Sequence, residues 1–228
     1  MSFQIAIDGP VAAGKSTVAR ILAQKLDFVY VDTGAMYRAI TLLSLRKGIE
    51  VSDEEAIVEL LRKTVIDVRS PEEKEKDGRL STVLVNGEDV SWEIRKAKVS
   101  AVVAKVASLP KVREVLVEKQ REIANNRDVV MEGRDITYVV LPKANLKIFL
   151  TANQEVRVKR YFLKLKETDP QLTIEKAREL LLKRDELDRT RKTSPLKIVD
   201  DAWIVDTSQL SIDEVVDKIV ERVKEMRL

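Results

Sequence analysis

The strongest constraint on the fold is a glycine-rich loop between a short apolar run and a helical pattern. Ile5-Ala6-Ile7 predicts a buried strand, and a helix is expected from Lys15 to about Leu26. Between them, Gly9-Pro10-Val11-Ala12-Ala13-Gly14-Lys15-Ser16 matches the pattern G-x-x-x-x-G-K-[ST]. Small residues let such a backbone curl until its N–H groups converge on phosphate oxygens at the positive end of a helix dipole. Motif and context together favour a phosphate-binding P-loop over a chance strand–turn–helix.

Two side chains of this loop have expected roles in a nucleoside triphosphate site. Lys15 is expected to reach the β- and γ-phosphates, and the hydroxyl of Ser16 is expected to ligate Mg²⁺. The chain contains no His and no Cys, which excludes imidazole acid–base chemistry and thiolate nucleophiles. Any catalysis must therefore rest on lysine, arginine, carboxylates, hydroxyls, backbone amides and a hard metal ion.

The composition bounds the class of protein. Of 228 residues, 44% are apolar, enough for a sizeable core in one α/β unit with an insert. The net charge of +3 is spread along the chain and aromatic residues make up only 4%, which argues against nucleic-acid binding. No signal peptide and no apolar stretch of about 20 residues is present. We expect a cytoplasmic monomer that does not contact membranes.

Strands that alternate with helices predict a parallel sheet flanked by helices. The expected core strands after the first are 28–31, 129–131, 146–150 and 203–205. Residues 64–125 differ, with a half-exposed strand, a hairpin signal at Asn86-Gly87 and two amphipathic helices at about 98–108 and 111–124. We therefore predict an α/β core formed by residues 1–63 and 126–228, interrupted by an inserted α+β subdomain at 64–125.

Polar residues follow two of the predicted core strands, at the sheet edge where ligands bind in open α/β sheets. After the second strand, Arg38 fits either a clamp for a second phosphate or a solvated helix charge with Asp32 as the N-cap. After the third, Glu132 fits a water-mediated metal contact, and Arg134-Asp135 presents a donor beside an acceptor. A surface turn with a salt bridge is the alternative there.

A long charged helix late in the chain places Arg184, Asp188 and Arg191 on one face, at spacings i, i+4 and i+7. Most such runs are solvated and salt-bridged. Beside a polyphosphate site, however, an arginine helix that closes over the ligand neutralises transition-state charge and excludes water. Arg157 and Arg160 on the preceding helix are expected to join it, so residues at about 154–191 form a predicted helical lid.

Several segments, in the same order from one end of the chain to the other, resemble the bacterial cytidylate kinase family of nucleoside monophosphate kinases. They are Ile7-Asp8-Gly9-Pro10, Ala13-Gly14-Lys15-Ser16-Thr17, Asp32-Thr33-Gly34-Ala35-Met36-Tyr37-Arg38, Gly87-Glu88-Asp89-Val90-Ser91, Glu93-Ile94-Arg95, Val112-Arg113-Glu114, Gly133-Arg134-Asp135-Ile136, Lys147-Ile148-Phe149-Leu150, Ser194-Pro195-Leu196 and Leu210-Ser211-Ile212. The P-loop alone specifies only a superfamily. The segment from Asp32 to Arg38 and the segment Gly133-Arg134-Asp135, together with the long insert, are more specific.

The resemblance implies a P-loop kinase fold with a lid, and a monophosphate-binding region enlarged by the insert. It implies transfer of the γ-phosphate of ATP to CMP and dCMP with Mg²⁺. The implied ATP-binding residues are Gly9, Pro10, Val11, Ala12, Ala13, Gly14, Lys15, Ser16, Thr17, Arg157 and Arg160. The implied CMP-binding residues are Thr33, Arg38, Arg113, Arg134, Asp135, Arg184, Asp188 and Arg191.

Within these sets the resemblance implies a division of roles. Lys15, Arg134 and Arg184 are the expected catalytic residues, and Ser16 is the expected metal ligand. The cytosine edge is expected to meet Arg113, Asp135 and Arg191. Arg38 and Arg134 are expected at the acceptor phosphate, with Arg184 and Asp188 near the sugar.

The chain departs from the family pattern at three places. Ala104 replaces the Ser of Ser-x-Val-Ala, which removes an expected sugar contact and leaves the choice between CMP and dCMP open. Thr137-Tyr138 replaces Gly-Thr after Gly-Arg-Asp-Ile, which alters the loop beside the acceptor. Glu132 replaces a common Asp, and its longer side chain is expected to shift a water-mediated metal contact.

Three other classes fit the P-loop. A kinase for UMP, AMP or shikimate differs only in its acceptor. A GTPase switch needs a guanine-reading Asn-Lys-x-Asp loop, whereas the corresponding strand end here is Val205-Asp206-Thr207-Ser208. A nucleic-acid-dependent ATPase needs a basic face with interleaved aromatic residues, which this composition does not provide.

Overall fold

A five-stranded parallel sheet lies at the centre of the computed structural model, which describes residues 2–75, 77–79, 81–167 and 169–227. All of its strand pairs are parallel. The spatial order is β2 (Val29–Asp32), β6 (Val129–Gly133), β1 (Gln4–Asp8), β7 (Leu146–Thr151) and β8 (Trp203–Asp206). Because the strands are parallel, all five carboxyl ends meet at one edge, and the predicted parallel α/β core is confirmed.

Helices cover both faces of this sheet. Side chains alternate along β1, so that Ile5 and Ile7 pack with α1 (Lys15–Leu26) and α8 (Ile212–Arg227), whereas Ala6 packs on the opposite face. The opposite face is covered by α5 (Pro110–Ala124), through Val117 and Ala124. Burial on both faces explains why these strands are short apolar runs rather than alternating ones.

A second, three-stranded antiparallel sheet lies within residues 64–125. It pairs β3 (Ile66–Arg69) with β4 (Thr82–Val85), and β4 with β5 (Glu88–Asp89). Asn86 and Gly87 join the last two strands with φ angles of 51° and 85°, so the predicted hairpin is confirmed.

The insert also contains α4 (Ala97–Val106) and shares one apolar cluster with α2 (Thr33–Arg46) and α3 (Glu54–Arg62). Ile40 of α2 and Leu61 of α3 are fully buried there beside Val83 and Val106 of the insert. These contacts hold the insert against α2. This helix follows β2 and carries Arg38.

Two charged helices follow β7. The first, α6 (Gln154–Lys166), is capped by Asn153, and the second, α7 (Ile174–Thr190), is capped by Thr173. Only Ala177 and Leu181 provide fully buried apolar side chains on α7. Among the described residues, no helix combines the length and the apolar character needed to span a bilayer.

The segment after β6 forms a wide helical turn, Ile136–Val140, that the sequence did not predict. The N-terminal end of this turn faces the carboxylate of Asp8, at the end of β1. That carboxylate accepts hydrogen bonds from the backbone N–H groups of Ile136 and Thr137, both at 2.9 Å. The turn therefore fixes the backbone directly after Arg134-Asp135.

Candidate active site

The glycine-rich loop passes very close to β7. Gly9 has φ +154°, and a Cβ atom added there would lie 2.0 Å from the carbonyl oxygen of Leu150. Only glycine fits such an approach. Gly14, with φ +95°, turns the chain directly into α1, so the N-terminus of that helix points at the loop and favours anions there.

Lys15 folds back over the loop, and its Nζ donates to the carbonyl oxygen of Pro10 at 2.8 Å. Burial, assisted by the charge of Arg134, lowers the pKa of this amine to about 7, although Glu132 acts in the opposite direction. An anion beside Lys15 would favour the charged amine and raise its pKa again. The loop thus positions a buried amine whose charged form a bound anion would stabilise.

Ser16 and Glu132 place two oxygen atoms side by side. The hydroxyl of Ser16 donates to Oε1 of Glu132 at 2.6 Å. Burial, followed by repulsion from Asp32, raises the pKa of the Glu132 carboxyl. A divalent cation with oxygen ligands suits this pair because it would offset the buried negative charge. Among the described residues no group of three carboxylate, His or Cys side chains is placed to hold a metal, so further ligands would come from phosphate and water.

A second group of charges lies at the end of β6, where α7 approaches. Nε of Arg134 donates to Asp188 Oδ2 at 2.7 Å, and Nε of Arg184 lies 3.4 Å from Asp188 Oδ1. Burial alone would raise the pKa of Asp188, but Arg134 and Arg184 outweigh it and the pKa is lowered. One carboxylate therefore holds two arginines in place over the cleft.

A buried cluster around Asp135 forms the far wall. Arg113 of α5 donates from Nη2 to Asp135 and from Nη1 to the carbonyl of Ala107 at 3.0 Å, with its guanidinium 5.3 Å from the ring centre of Tyr37. Nη2 of Arg191 lies 3.7 Å from Asp135 Oδ1. The Asp135 carboxylate thus joins two cationic side chains from α5 and from the end of α7.

Two donors in this cluster form no hydrogen bond within the described part of the chain, although Nη2 of Arg191 lies within ion-pair distance of Asp135. Nε of Arg113 and Nη2 of Arg191 are buried and form no hydrogen bond among the described residues. An unsatisfied buried donor costs about 1–3 kcal/mol, more when charged. These atoms therefore suit acceptor atoms of a ligand that enters the cleft.

Arg38 lies in the cleft wall rather than in open solvent. Its Nη1 donates to the carbonyl of Ile94 at 3.2 Å and to the hydroxyl of Ser100 at 2.8 Å. Asp32 accepts from the backbone N–H of Ala35, so it is an N-cap as well. The nearby hydroxyl of Thr33 donates to the Glu132 carbonyl at 2.8 Å.

The two α6 arginines anchor that helix to the core. Nη1 of Arg157 pairs with Asp185 at 2.6 Å and donates to the carbonyl of Val11 at 3.2 Å. Both terminal nitrogens of Arg160 donate to Thr207, each at 2.9 Å. α6 is thereby fixed to the P-loop at one end.

All these elements enclose one cleft of about 500 Å³, a volume typical of small-molecule sites. The predicted residues that line it are Val11, Ala12, Ala13, Gly14, Lys15, Ser16, Thr17, Thr33, Arg38, Arg113, Arg134, Asp135, Arg160, Arg184, Asp188 and Arg191. Three predicted residues do not line the cleft: Gly9, Pro10 and Arg157. The first two belong to the loop, where the Pro10 carbonyl accepts from Lys15, and Arg157 donates to the loop carbonyl of Val11.

Among the lining residues to which sequence reasoning assigned no site role are Arg95, Tyr161 and Lys164. Tyr161 and Lys164 follow Arg157 at i+4 and i+7, the same spacing that singled out the arginines of α7. That spacing would have found them. Arg95 lies in the insert, 3.5 Å from Asp32, and no local pattern indicates this contact across 63 residues of chain.

Comparison with known proteins places these residues in one family. The family model described as cytidylate kinase matches residues 5–225. A cytidylate kinase from Caldanaerobacter subterraneus subsp. tengcongensis is 50% identical over 224 residues, which cover 98% of this chain and 96% of the relative. One from Carboxydothermus hydrogenoformans is 50% identical over 218 residues, which cover 96% of each.

A solved structure supports the fold alone. An uncharacterised protein from Eubacterium ventriosum superposes with a TM-score of 0.54 at 14% identity, over 98% of this chain and 99% of that one.

Proposed function

The chain belongs to the cytidylate kinase family, and we propose that its cleft transfers the γ-phosphoryl group of ATP to CMP and dCMP. The protein is an ATP-dependent nucleoside monophosphate kinase. Its chain matches these two relatives over 96% of their length. The proposal therefore concerns which side chains of the cleft hold each substrate.

The donor ATP binds at the P-loop. The curled backbone of residues 9–17 and the N-terminus of α1 surround one position for the phosphates, and the hydrogen bond of the Lys15 amine goes to the neutral carbonyl of Pro10. Arg160 faces the same end of the cleft from α6. Supporting this placement, a phosphate bound here would restore the charge of Lys15 that burial suppresses.

The acceptor binds on the opposite side, with its base against Asp135. The observation that supports this most directly is a pair of buried donors that form no hydrogen bond among the described residues, Nε of Arg113 and Nη2 of Arg191. A cytosine edge offers carbonyl and ring-nitrogen acceptors for such donors, and its amino group suits the Asp135 carboxylate. Tyr37 packs against Arg113 and holds its plane.

The acceptor phosphate lies between the base and the P-loop, close to Thr33, Arg38 and Arg134. Arg184 and Asp188 face the sugar from α7. Residues 64–125 then serve as the monophosphate-binding subdomain, residues 1–63 and 126–228 as the core, and residues 154–191 as the lid. This division is supported by the Arg38 contacts with Ile94 and Ser100, because they join the core helix to the insert.

The proposed chemistry needs no general base. Phosphoryl transfer passes through a loose transition state, so alignment and charge neutralisation dominate. CMP already presents an ionised phosphate oxygen as the nucleophile. Lys15, Arg134 and Arg184 stabilise the charge on the transferring group, while Asp188 keeps two of these cations aligned.

Mg²⁺ fits the pair formed by Ser16 and Glu132. When bound, the ion neutralises charge on the β- and γ-phosphates. Ser16 and Glu132 would hold it, and the buried Glu132 carboxylate would gain a compensating charge. Asp32, whose Oδ2 is 3.5 Å from Arg95, adds to the negative charge on this side.

An assay of ADP release tests the proposal with CMP, dCMP, UMP, AMP and shikimate as separate acceptors. We expect efficient turnover of CMP and dCMP. Lys15→Met should abolish turnover while circular dichroism shows an intact fold. Turnover of another acceptor without CMP would reject the proposed acceptor, and substantial activity of the Lys15 variant would reject the proposed role of Lys15.

A further inference from the structure

One cation in the cleft wall has no role in the site described so far. Lys164 lines the cleft from α6, where Arg157, Arg160, Tyr161 and Lys164 share one helical face. The two arginines are fixed at the P-loop end of that face. Since an α-helix rises 1.5 Å per residue, Lys164 lies about 6 Å further along the axis than Arg160.

The charges around Lys164 belong to the acceptor side of the cleft. The side chain of Lys164 keeps an exposed surface, but partial desolvation in the cleft lowers its pKa, and Arg95 and Arg38 lower it further, while Asp32 and Glu132 act in the opposite direction. Arg95 and Arg38 are the two cations with the largest effect on this pKa. Lys164 therefore faces the position where Arg38 meets the insert.

This part of the cleft has more positive than negative charge. Among the described residues, Arg38 donates to the neutral oxygens of Ile94 and Ser100 and to no carboxylate. Arg95 is 3.5 Å from Asp32, a long ion pair. Within the described part of the chain, no carboxylate lies at ion-pair distance from Lys164. Three cations, Arg38, Arg95 and Lys164, thus share this part of the cleft with two carboxylates, Asp32 and Glu132, an arrangement that favours a bound anion.

We propose that Lys164 is a further substrate-binding residue, which contacts the phosphate of the nucleoside monophosphate from the lid, opposite Arg38. The inference rests on the proposed function and deepens it. Because Lys164 belongs to α6 and Arg38 to α2, a phosphate held by both connects the lid to the core. Binding of the acceptor phosphate then favours the state in which the lid is closed over the cleft.

The test is Lys164→Gln, which keeps the length and polarity of the side chain and removes its charge. Lys159→Gln is the matched control, since Lys159 is, like Lys164, an exposed lysine of this helix but does not line the cleft. We expect KM for CMP to rise about tenfold in the Lys164 variant, as for loss of one charged contact. KM for ATP at saturating CMP should stay within about twofold of the parent value. Lys164→Arg should restore most of the affinity.

Equilibrium binding of CMP, measured by calorimetry without ATP, gives a readout apart from turnover and should weaken by the same factor. An unchanged KM and affinity for CMP, or a selective rise in KM for ATP, would overturn the proposal. If the parent enzyme turns over a different monophosphate, the acceptor assignment fails. The Lys164 comparison is then made with that monophosphate, and an unchanged KM for it rejects the role of Lys164.

Discussion

Thr137 donates two hydrogen bonds to the buried carboxylate of Asp8, one from its backbone N–H at 2.9 Å and one from its hydroxyl at 2.7 Å. Burial raises the pKa of Asp8, and these hydrogen bonds act to lower it. Asp8 ends β1 and Thr137 lies in the turn after Arg134-Asp135, so the contact ties the strand before the P-loop to the wall of the cleft that contains Asp135. Thr137 is also one of the residues at which this chain departs from the family pattern.

Removal of the Thr137 hydroxyl should therefore weaken both the fold and acceptor binding. We expect Thr137→Val, which keeps the shape, to lower the free energy of unfolding by about 1–2 kcal/mol, since hydrogen bonds to charged groups are worth more than neutral ones. KM for CMP should rise while KM for ATP stays nearly constant. Urea unfolding and steady-state kinetics measure these effects. Thr137→Ser retains the hydroxyl and should behave like the parent, whereas equal losses in both variants would contradict this explanation.

The close approach of Gly9 to β7 predicts a large cost for one methyl group. Gly9→Ala would place a Cβ 2.0 Å from the Leu150 carbonyl oxygen, and we expect a loss of about 3 kcal/mol in stability together with weaker ATP binding. Gly48→Ala is the control, because Gly48 also has a positive φ of +67° but no atom lies within 4 Å of its added Cβ. It should cost only about 1 kcal/mol. Similar thermal midpoints for the two variants would exclude the steric explanation.

The Asp135 cluster predicts a selective effect on the acceptor. Arg113→Met keeps the apolar stem but leaves a buried carboxylate without its main partner, and kcat/KM for CMP should fall about a hundredfold. KM for ATP should change little. Lys119→Met, on the same helix and outside the cleft, should leave both constants unchanged. A parallel loss in the ATP constants would indicate general disruption of the fold instead.

The lowered pKa of Lys164 predicts how its contribution depends on pH. Arg95 and Arg38 face this amine together with Asp32 and Glu132, and burial with the two arginines moves its pKa below the ordinary 10.5. The charged form, which attracts phosphate, is present below that pKa and is lost as pH rises through it. The ratio of KM for CMP between Lys164→Gln and the parent should therefore be largest near pH 7 and approach one in alkaline buffer. A ratio that stays constant across this range would contradict the assignment.

Local sequence signals predicted the elements that depend on neighbouring residues. The P-loop, the core strands and the Asn86-Gly87 hairpin all follow from patterns within a few residues. Contacts between distant segments were not predictable in that way. Asp8 and Thr137 are 129 residues apart. The residues next to Asp8 in the sequence do not indicate that its buried carboxylate binds the turn after Arg134-Asp135.

The two interpretations of Arg38 show the same limit. Its local sequence fits a solvated helix charge, and only packing of the insert against α2 brings it to Ile94 and Ser100. Lys164 differs, because its spacing from Arg157 was visible in the sequence. Whether Lys164 faces the insert depends on the orientation of α6. That orientation is fixed by the contacts of Arg157 with Val11 and of Arg160 with Thr207.

The central claim is that this cleft moves the terminal phosphoryl group of ATP to a cytidine monophosphate. The most direct measurement supplies γ-labelled ATP to an equimolar mixture of CMP, UMP, AMP and shikimate and separates the labelled products. The label should appear predominantly in CDP, with one ADP formed for each CDP. Label found mainly in another product, or in inorganic phosphate, would contradict the account.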